Sequence, residues 1–446
     1  MAGFQNCGLN IFQWNCNGLL AHQNELKQHL SHNFYDVICL QETFLKPTKN
    51  FALTGYSVVR KDRVAMGKGG LVTLIRESIA YTEIIPQDGI ECILVKIKSD
   101  NSYITIVNLY ISPDRDIDIN LISSLFTPKT VIVGDLNAKN TLWGSPVTDQ
   151  RGTIIENLMD NNNFTILNNG HPTYTHHNGT RSHLDLSIVY HTFATKGDWD
   201  VLPDTLGSDH SPTVTYINIQ ITEETDDTKR FILSKADWES FKINSRYLLT
   251  TDLISDSNSV NVNTDLLTNA IIKAAELSIP LARSTRSKHL KPLPYWNEEC
   301  RNVIKDRNKA RNIMHKNKTL DNCISYRRLK GKAQHVIKST AREYWQSYCS
   351  TLDKSTKLGS VWRMARKMNG AHSEHKIRNI LVNGTPLENN QDKAEAFAKS
   401  FSDISSNKNY SSSFLSHKDD IEQNHKDLFA NTLESCLLYT SPSPRD

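Results

Sequence analysis

The chain has no stretch of about 18 apolar residues, the length a membrane-crossing helix requires, so no membrane partner is expected. It has no basic-then-apolar opening, so no secretory leader is expected. Synthesis in the cytoplasm and action in the cytosol or nucleus follow as the expected setting. No internal repeat stands out. The eight cysteines include no C-x-x-C pair. Cys300, Cys323 and Cys349 with His315 and His335 offer zinc-ligand chemistry, but their spacings match no common finger. Cys16, Cys39 and Cys92 lie in apolar surroundings and read as buried thiols.

What is present is enough to bury a core. The sequence has 446 residues, 38% of them hydrophobic, with a mean hydropathy of −0.47. That fits a soluble protein of roughly 2–3 domains. The net charge of +4 hides a strong asymmetry. Residues 281–370 hold 22 Lys and Arg against 6 Asp and Glu, whereas residues 1–220 hold 16 against 21. A basic block of this kind favours a polyanion, because binding releases the counterions condensed on it. The alternative is a solvated helical connector.

Apolar runs ending in polar residues dominate residues 1–220. Leu9 to Trp14 breaks at Asn15-Cys16-Asn17-Gly18, and Asp36 to Leu40 ends in Gln41-Glu42. Strands are predicted over Tyr56–Arg60, Leu71–Ile75, Ile90–Ile97, Tyr103–Tyr110, Thr130–Asp135, Leu184–Tyr190 and Thr213–Ile219. Short helices are predicted over 19–30 and 152–159. This pattern predicts an α/β fold with two packed sheets. Residues 221–285 read as a linker and a helix from Leu266 to Ile279, residues 286–370 as a basic helical connector, and residues 371–435 as a further segment with a helix at Ala394–Phe401. Residues 436–446 look foreign and resemble the translation of a sequencing-library adapter.

Cleaving a phosphodiester requires several groups at one point. Developing negative charge must be met by a cation and hydrogen-bond donors, and a water must be oriented and deprotonated. The strand ends supply those types. Glu42 and Asp209 offer hard oxygen ligands for a metal. Asp135 can orient or deprotonate water, and Asn137 can hold that water or the phosphate. Asn15 and Asn17 can position phosphate or a neighbouring carboxylate, and Tyr110 can donate to a phosphate oxygen. Asp185 sits in an apolar strand, where an acid is costly unless paired, and His210 is the natural partner. Ser208 and Thr175 complete the candidate substrate contacts with Asn17. Taken singly, each residue also fits turn chemistry or ordinary strand packing.

In this order and with these flanks, the residues resemble the endonuclease/exonuclease/phosphatase superfamily over residues 8–219. Trp14-Asn15-Cys16-Asn17-Gly18, Gln41-Glu42-Thr43, Gly134-Asp135-Leu136-Asn137-Ala138 and Gly207-Ser208-Asp209-His210 are similar to the endonucleases of jockey-like non-LTR retrotransposons. Asn169-Gly170 with Pro172-Thr173-Tyr174-Thr175, and Trp296-Asn297-Glu298-Glu299-Cys300 with Val361-Trp362-Arg363, extend the resemblance.

The resemblance implies a four-layered α/β sandwich and Mg²⁺-dependent phosphoester hydrolysis, with Mn²⁺ as an alternative metal. It assigns Glu42 and Asp209 to the metal and Asp135 to the nucleophile. Asn15, Tyr110, Asn137 and His210 go to phosphate and water, and Asp185 to His210. It further implies nicking of target DNA in the nucleus to expose a 3′-hydroxyl that primes reverse transcription, with element RNA as a second partner of residues 286–370. The loops near Thr173–Gly179 and Arg60–Gly70 would set target choice. Asp226-Asp227 and Asp419-Asp420 lack the aromatic context of a polymerase metal motif, so no copying activity is expected of this chain. The rival readings are an abasic-site or lipid phosphoesterase of the same chemistry, and a nucleic-acid-binding module without catalysis.

Overall fold

A computed structural model of the chain describes residues 8–63, 69–99, 102–223, 231–249, 259–281, 290–369, 380–382, 385–387 and 390–424. The adapter-like tail, Asp226-Asp227 and Gly370 lie outside them, as does part of the 60–70 loop. Two compact units divide the chain, residues 1–374 and 375–446.

The first unit opens with fourteen strands among the described residues. They are β1 (Leu9–Asn15), β2 (Val37–Gln41), β3 (Tyr56–Lys61), β4 (Leu71–Arg76), β5 (Tyr81–Ile84), β6 (Cys92–Ser99), β7 (Ser102–Tyr110), β8 (Thr130–Asp135), β9 (Phe164–Ile166), β10 (Tyr174–Thr175), β11 (Arg181–Ser182), β12 (Asp185–Tyr190), β13 (Gly197–Val201) and β14 (Thr213–Ile217). Six of them form one sheet in the order β13-β14-β1-β2-β4-β3, and six form a second in the order β5-β6-β7-β8-β12-β9. The parallel pairs are β1 with β2 and β7 with β8. Both sheets are therefore mixed, and a short β10–β11 ribbon stands apart from them.

Alternation along the strands builds the layers. Leu9, Ile11, Val37 and Cys39 pack between the sheets against Ile104, Ile106, Val131 and Val133. The opposite faces of β1 and β2 carry Phe12, Trp14, Ile38 and Leu40, which meet Leu19, Leu26 and Leu30 of helix α1 (Leu19–Leu30). The outer face of the second sheet carries Val107, Leu109, Ile132, Leu186 and Ile188. It packs on α2 (Ile119–Ser123) and α3 (Gln150–Asn161) through Ile122, Ile155 and Met159. Helix, sheet, sheet and helix make four layers. Asp149 begins α3 by accepting from the Gly152 amide at 2.7 Å, a side-chain cap that satisfies one orphan donor.

The strands β5, β9, β10, β11 and β13 were not anticipated from the sequence. The ribbon strands have two residues each and β9 has three, too few for a period of two to register.

Beyond the sandwich the chain is helical: α4 (Trp238–Leu248), α5 (Val260–Ser278), α6 (Glu298–Lys316), α7 (Leu320–Ser350) and α8 (Leu358–Asn369). Helices α6 and α7 form an antiparallel hairpin around Cys300, Val303, Ala333, Val336 and Ile337 at one level, and around Ala310, Met314, Cys323 and Tyr326 at another. Cys300 and Cys323 thus sit in separate apolar clusters and Cys349 is exposed, so the zinc arrangement does not form. The second unit contains a two-stranded ribbon, β15 (Ile380–Val382) and β16 (Thr385–Leu387), with α9 (Asn390–Ile404) and α10 (Ser412–Asn424). No helix among the described residues is long and apolar enough to cross a membrane.

Candidate active site

The two parallel pairs bring their carboxyl ends to one edge of the sandwich. Register fixes the meeting point: Asn15 lies opposite Gln41 across β1 and β2, Tyr110 opposite Asp135 across β7 and β8, and Asp185 opposite Asp135 across β8 and β12. The close approach of β8 to β7 just before Asp135 relies on Gly134. Its φ is +158°, and a Cβ there would come within 1.8 Å of the Leu109 carbonyl oxygen.

Three side chains form the buried floor. Asp135, Asp185 and His210 place ligand-capable atoms within 4.8 Å of one another. His210 Nδ1 pairs with Asp185 Oδ2 at 2.8 Å, and His210 Nε2 stands 3.8 Å from Asp135 Oδ2. Gln13 donates to the other Asp185 oxygen at 2.8 Å. Asn15 donates to Asp135 Oδ2 at 2.8 Å, and the Asn137 amide donates to Asp135 Oδ1 at 3.1 Å. Burial alone would lower the His210 pKa, but the carboxylates of Asp185, Asp135 and Asp209 outweigh it and raise it to about 10. Burial, with Asp185 adding to it, pushes Asp135 up to about 7 against the pull of His210 and Asn15. A cation is thereby held beside an acid whose ionisation burial opposes.

The rim is more open. Tyr110 donates to Glu42 Oε1 at 2.8 Å, and burial with the neighbouring Glu42 carboxylate keeps the phenol neutral and a donor. Asn17 donates to Asp209 Oδ1 at 3.1 Å. Burial opposes ionisation of Asp209, but His210, Lys330 and Asn17 hold it below the ordinary carboxylate value. Ser208 faces inward instead, donating to the Asn15 carbonyl at 2.9 Å and accepting from the His210 amide at 3.2 Å. Asn17, Glu42 and Asn137 all adopt positive φ, at 42°, 48° and 46°. Such backbone persists only where its surroundings fix it. Here the Gly18 amide does so by donating to the Glu42 carbonyl at 2.8 Å.

The predicted residues therefore gather, with two qualifications. Asn15 is buried against Asp135 rather than turned outward. Thr175 stands to one side on the β10–β11 ribbon: its amide donates to the Asp209 carbonyl at 3.0 Å, while its hydroxyl pairs with His315 Nε2 at 3.2 Å.

Sequence reasoning missed the layer below. Gln13 bonds Gln41 at 2.8 Å, Gln41 donates to Asn108 at 2.7 Å, and Thr213 donates to Gln13 at 2.7 Å. Asn108 also donates to Thr73 and to the Leu40 and Val72 carbonyls. This chain of buried amides fills the space between the sheets just behind the floor and locks Asp185 in place. The signal was available: Gln13, Gln41 and Asn108 continue the inward-facing series Leu9-Ile11, Val37-Cys39 and Ile104-Ile106 as its polar end.

The trio on the floor and the two acids on the rim are alternative places for a metal. Both oxygens of Asp135 and both of Asp185 are already engaged by hydrogen bonds. Glu42 and Asp209 offer hard carboxylate oxygens at the open rim, the donor set that suits Mg²⁺ or Mn²⁺.

Residues 104–214 match the family model described as endonuclease-reverse transcriptase. Over 284 residues the chain is 24% identical to the RNA-directed DNA polymerase from mobile element jockey of Drosophila melanogaster, covering 62% of this chain and 31% of that protein. It is 26% identical over 281 residues to the probable RNA-directed DNA polymerase from transposon X-element of the same organism, covering 60% of this chain and 31% of that protein. The chain thus spans about a third of the length of these curated relatives. Among solved structures, the endonuclease domain of TRAS1, a telomere-specific non-LTR retrotransposon, is 23% identical, covering 48% of this chain and 99% of that one at a TM-score of 0.41. The matched family model and the jockey-like relatives make this chain similar to the endonuclease-reverse transcriptase proteins of mobile elements.

Proposed function

We propose that the sandwich is a divalent-metal-dependent endonuclease that nicks DNA and leaves a 3′-hydroxyl able to prime reverse transcription. The observation that carries this reading is the convergence on one edge of an Asp135 whose ionisation burial opposes, a positively charged His210 held by Asp185, and the rim acids Glu42 and Asp209. Asp135 takes a proton from the attacking water while Asn15 and the Asn137 amide hold its carboxylate in line. His210, kept charged by Asp185, meets the negative charge gathering on the phosphoryl oxygens, and the Tyr110 hydroxyl is a second donor. Glu42 and Asp209 would hold Mg²⁺ or Mn²⁺, which when bound polarises the phosphoryl group and stabilises the departing oxygen. Asn17 lies on the substrate side of the same edge, while Ser208 supports Asn15 and His210 from within. Acting on chromosomal DNA places the protein in the nucleus, and the basic residues of 286–370 suit element RNA as an additional polyanion.

The test is conversion of supercoiled plasmid to open circles by the full chain. Nicking is expected with Mg²⁺ and is abolished by EDTA. A chain that leaves plasmid intact but cleaves an abasic duplex or a phosphoinositide would replace this reading with a related phosphoesterase. One that binds DNA without cleaving any of these would make it a binding module.

A further inference from the structure

Helices α6 and α7 are fastened to the sandwich beside the site. Arg307 of α6 is completely buried, and its guanidinium reaches Glu25 of α1 and Asp204 at 2.8 Å each. Arg311 donates to the Pro203 carbonyl one turn further on. The loop that these contacts hold, 203–207, runs directly into Ser208-Asp209-His210.

The hairpin also grips the β10–β11 ribbon and the turn that joins its two strands. His315 meets the Thr175 hydroxyl at 3.2 Å. Arg327 of α7 donates to the His177 carbonyl at 2.9 Å. Gly179 passes so close to α6 that a Cβ there would sit 3.3 Å from Met314 Cγ. The same ribbon also touches the site. The Thr175 amide donates to the Asp209 carbonyl at 3.0 Å, the Tyr174 ring lies 4.6 Å from the His210 ring, and Thr173 Oγ1 accepts from the Asp185 amide at 3.2 Å. A two-residue ribbon cannot hold its own shape in water. Its course depends on what grips it.

We infer that the α6–α7 hairpin positions the β10–β11 ribbon over the cleavage edge, with His315 and Arg327 as positioning residues, so that the connector helps decide where a DNA duplex is cut. This rests on the endonuclease reading and deepens it. The ribbon lies next to both Asp209 and His210. The hairpin that steadies it lies in the basic 281–370 block, with 22 Lys and Arg against 6 Asp and Glu, which suits a phosphate backbone.

The experiment compares the full chain with its His315→Ala/Arg327→Ala double variant. The substrate is an end-labelled duplex carrying many potential sites, with cut positions mapped at nucleotide resolution. Total nicking is expected to stay within about threefold of the parent. The preference for the strongest position over the next should fall by roughly tenfold, the scale set by losing one or two hydrogen bonds. Arg327→Lys retains a donor to the carbonyl and should keep the parental pattern. Thr175→Val breaks the His315 contact from the ribbon side and should redistribute cuts as His315→Ala does. Hydrogen exchange of amides 174–181 reads the grip without cleavage and should accelerate in the double variant. An unchanged cut pattern, or unchanged exchange in those amides, overturns the inference. A parent chain that never nicks overturns the endonuclease reading instead, while the exchange measurement still judges the grip.

Discussion

Two buried charge clusters lie within one sandwich, and they are built from the same arithmetic. At the active edge one cation, His210, stands between two acids, Asp135 and Asp185. On the flank one cation, Arg307, stands between Glu25 and Asp204. The flank cluster cannot handle a proton through its cation, because a guanidinium stays charged across the working range. Burial raises the Glu25 pKa against the pull of Arg307, whose charge the two acids reinforce in return. At the active edge His210 is held charged as well, but burial raises the pKa of Asp135 beside it, so that cluster contains an acid able to take up a proton.

Breaking each cluster should therefore give different symptoms. Asp135→Asn should lower the nicking rate by roughly 10²–10⁴-fold, the effect of losing one acid–base group, with little change in the urea midpoint, whereas His210→Ala should lower both, because it strands the buried Asp185. Arg307→Ala should do the opposite of Asp135→Asn, removing on the order of 3–5 kcal/mol of stability by stranding Glu25, with Asp204 contributing less because it is partly exposed. Arg307→Lys should fall between, since an ammonium lacks the fork that reaches two acids. Urea unfolding of the full chain checks both. If Arg307→Ala lost activity while keeping its midpoint, the contrast would collapse.

Acid sharpens the comparison. His22 packs beside the flank cluster, where Gly207 leaves it room: a Cβ there would lie 2.6 Å from the His22 ring. Burial, with Lys330 and Arg307 adding to it, lowers the His22 pKa from 6.5 to about 4. The folded chain thus keeps His22 neutral while the unfolded chain protonates it. Its stabilising effect is complete above pH 6.5 and is lost as the pH falls towards 4, by on the order of 3 kcal/mol at most. Urea titrations at pH 7 and pH 4.5 should show this loss, and His22→Gln should shrink it. The smallest effect belongs to Gln13→Leu. It strips a donor from Asp185 and Gln41 and should cost about 1–3 kcal/mol, with far less loss of nicking than Asp135→Asn.

How much of this was legible follows from where each residue sits. Glu42 and Asp135 end or follow apolar runs and Asp209-His210 precede one, so the break itself announces them. Two sheets were visible because Val37–Leu40 and Val131–Val133 are unbroken apolar segments and Leu9–Trp14 is largely apolar and aromatic. The ribbon was not, because its strands are fixed by Thr173, Asp209 and His315 rather than by their own pattern. Arg307 was hidden in a basic run that reads as solvated. Its position gives it away in retrospect: Cys300, Val303, Arg307, Ala310 and Met314 repeat at three- and four-residue steps, so Arg307 occupies an inward position of an otherwise apolar helix face. A cation in such a phase is a stronger pointer to a buried partner than the charge total of its segment.

A strand lying alongside its predecessor in the same direction cannot be reached by a hairpin. The chain must leave β1 for β2, and β7 for β8, by bridges that travel outside the sheets, and both bridges depart from the reactive edge. Lengthening such an exterior bridge costs only about 0.6 kcal/mol per doubling. Descendants of this scaffold are thus free to grow new surfaces around an unaltered centre, acquiring fresh sites of attack without redesigning the chemistry.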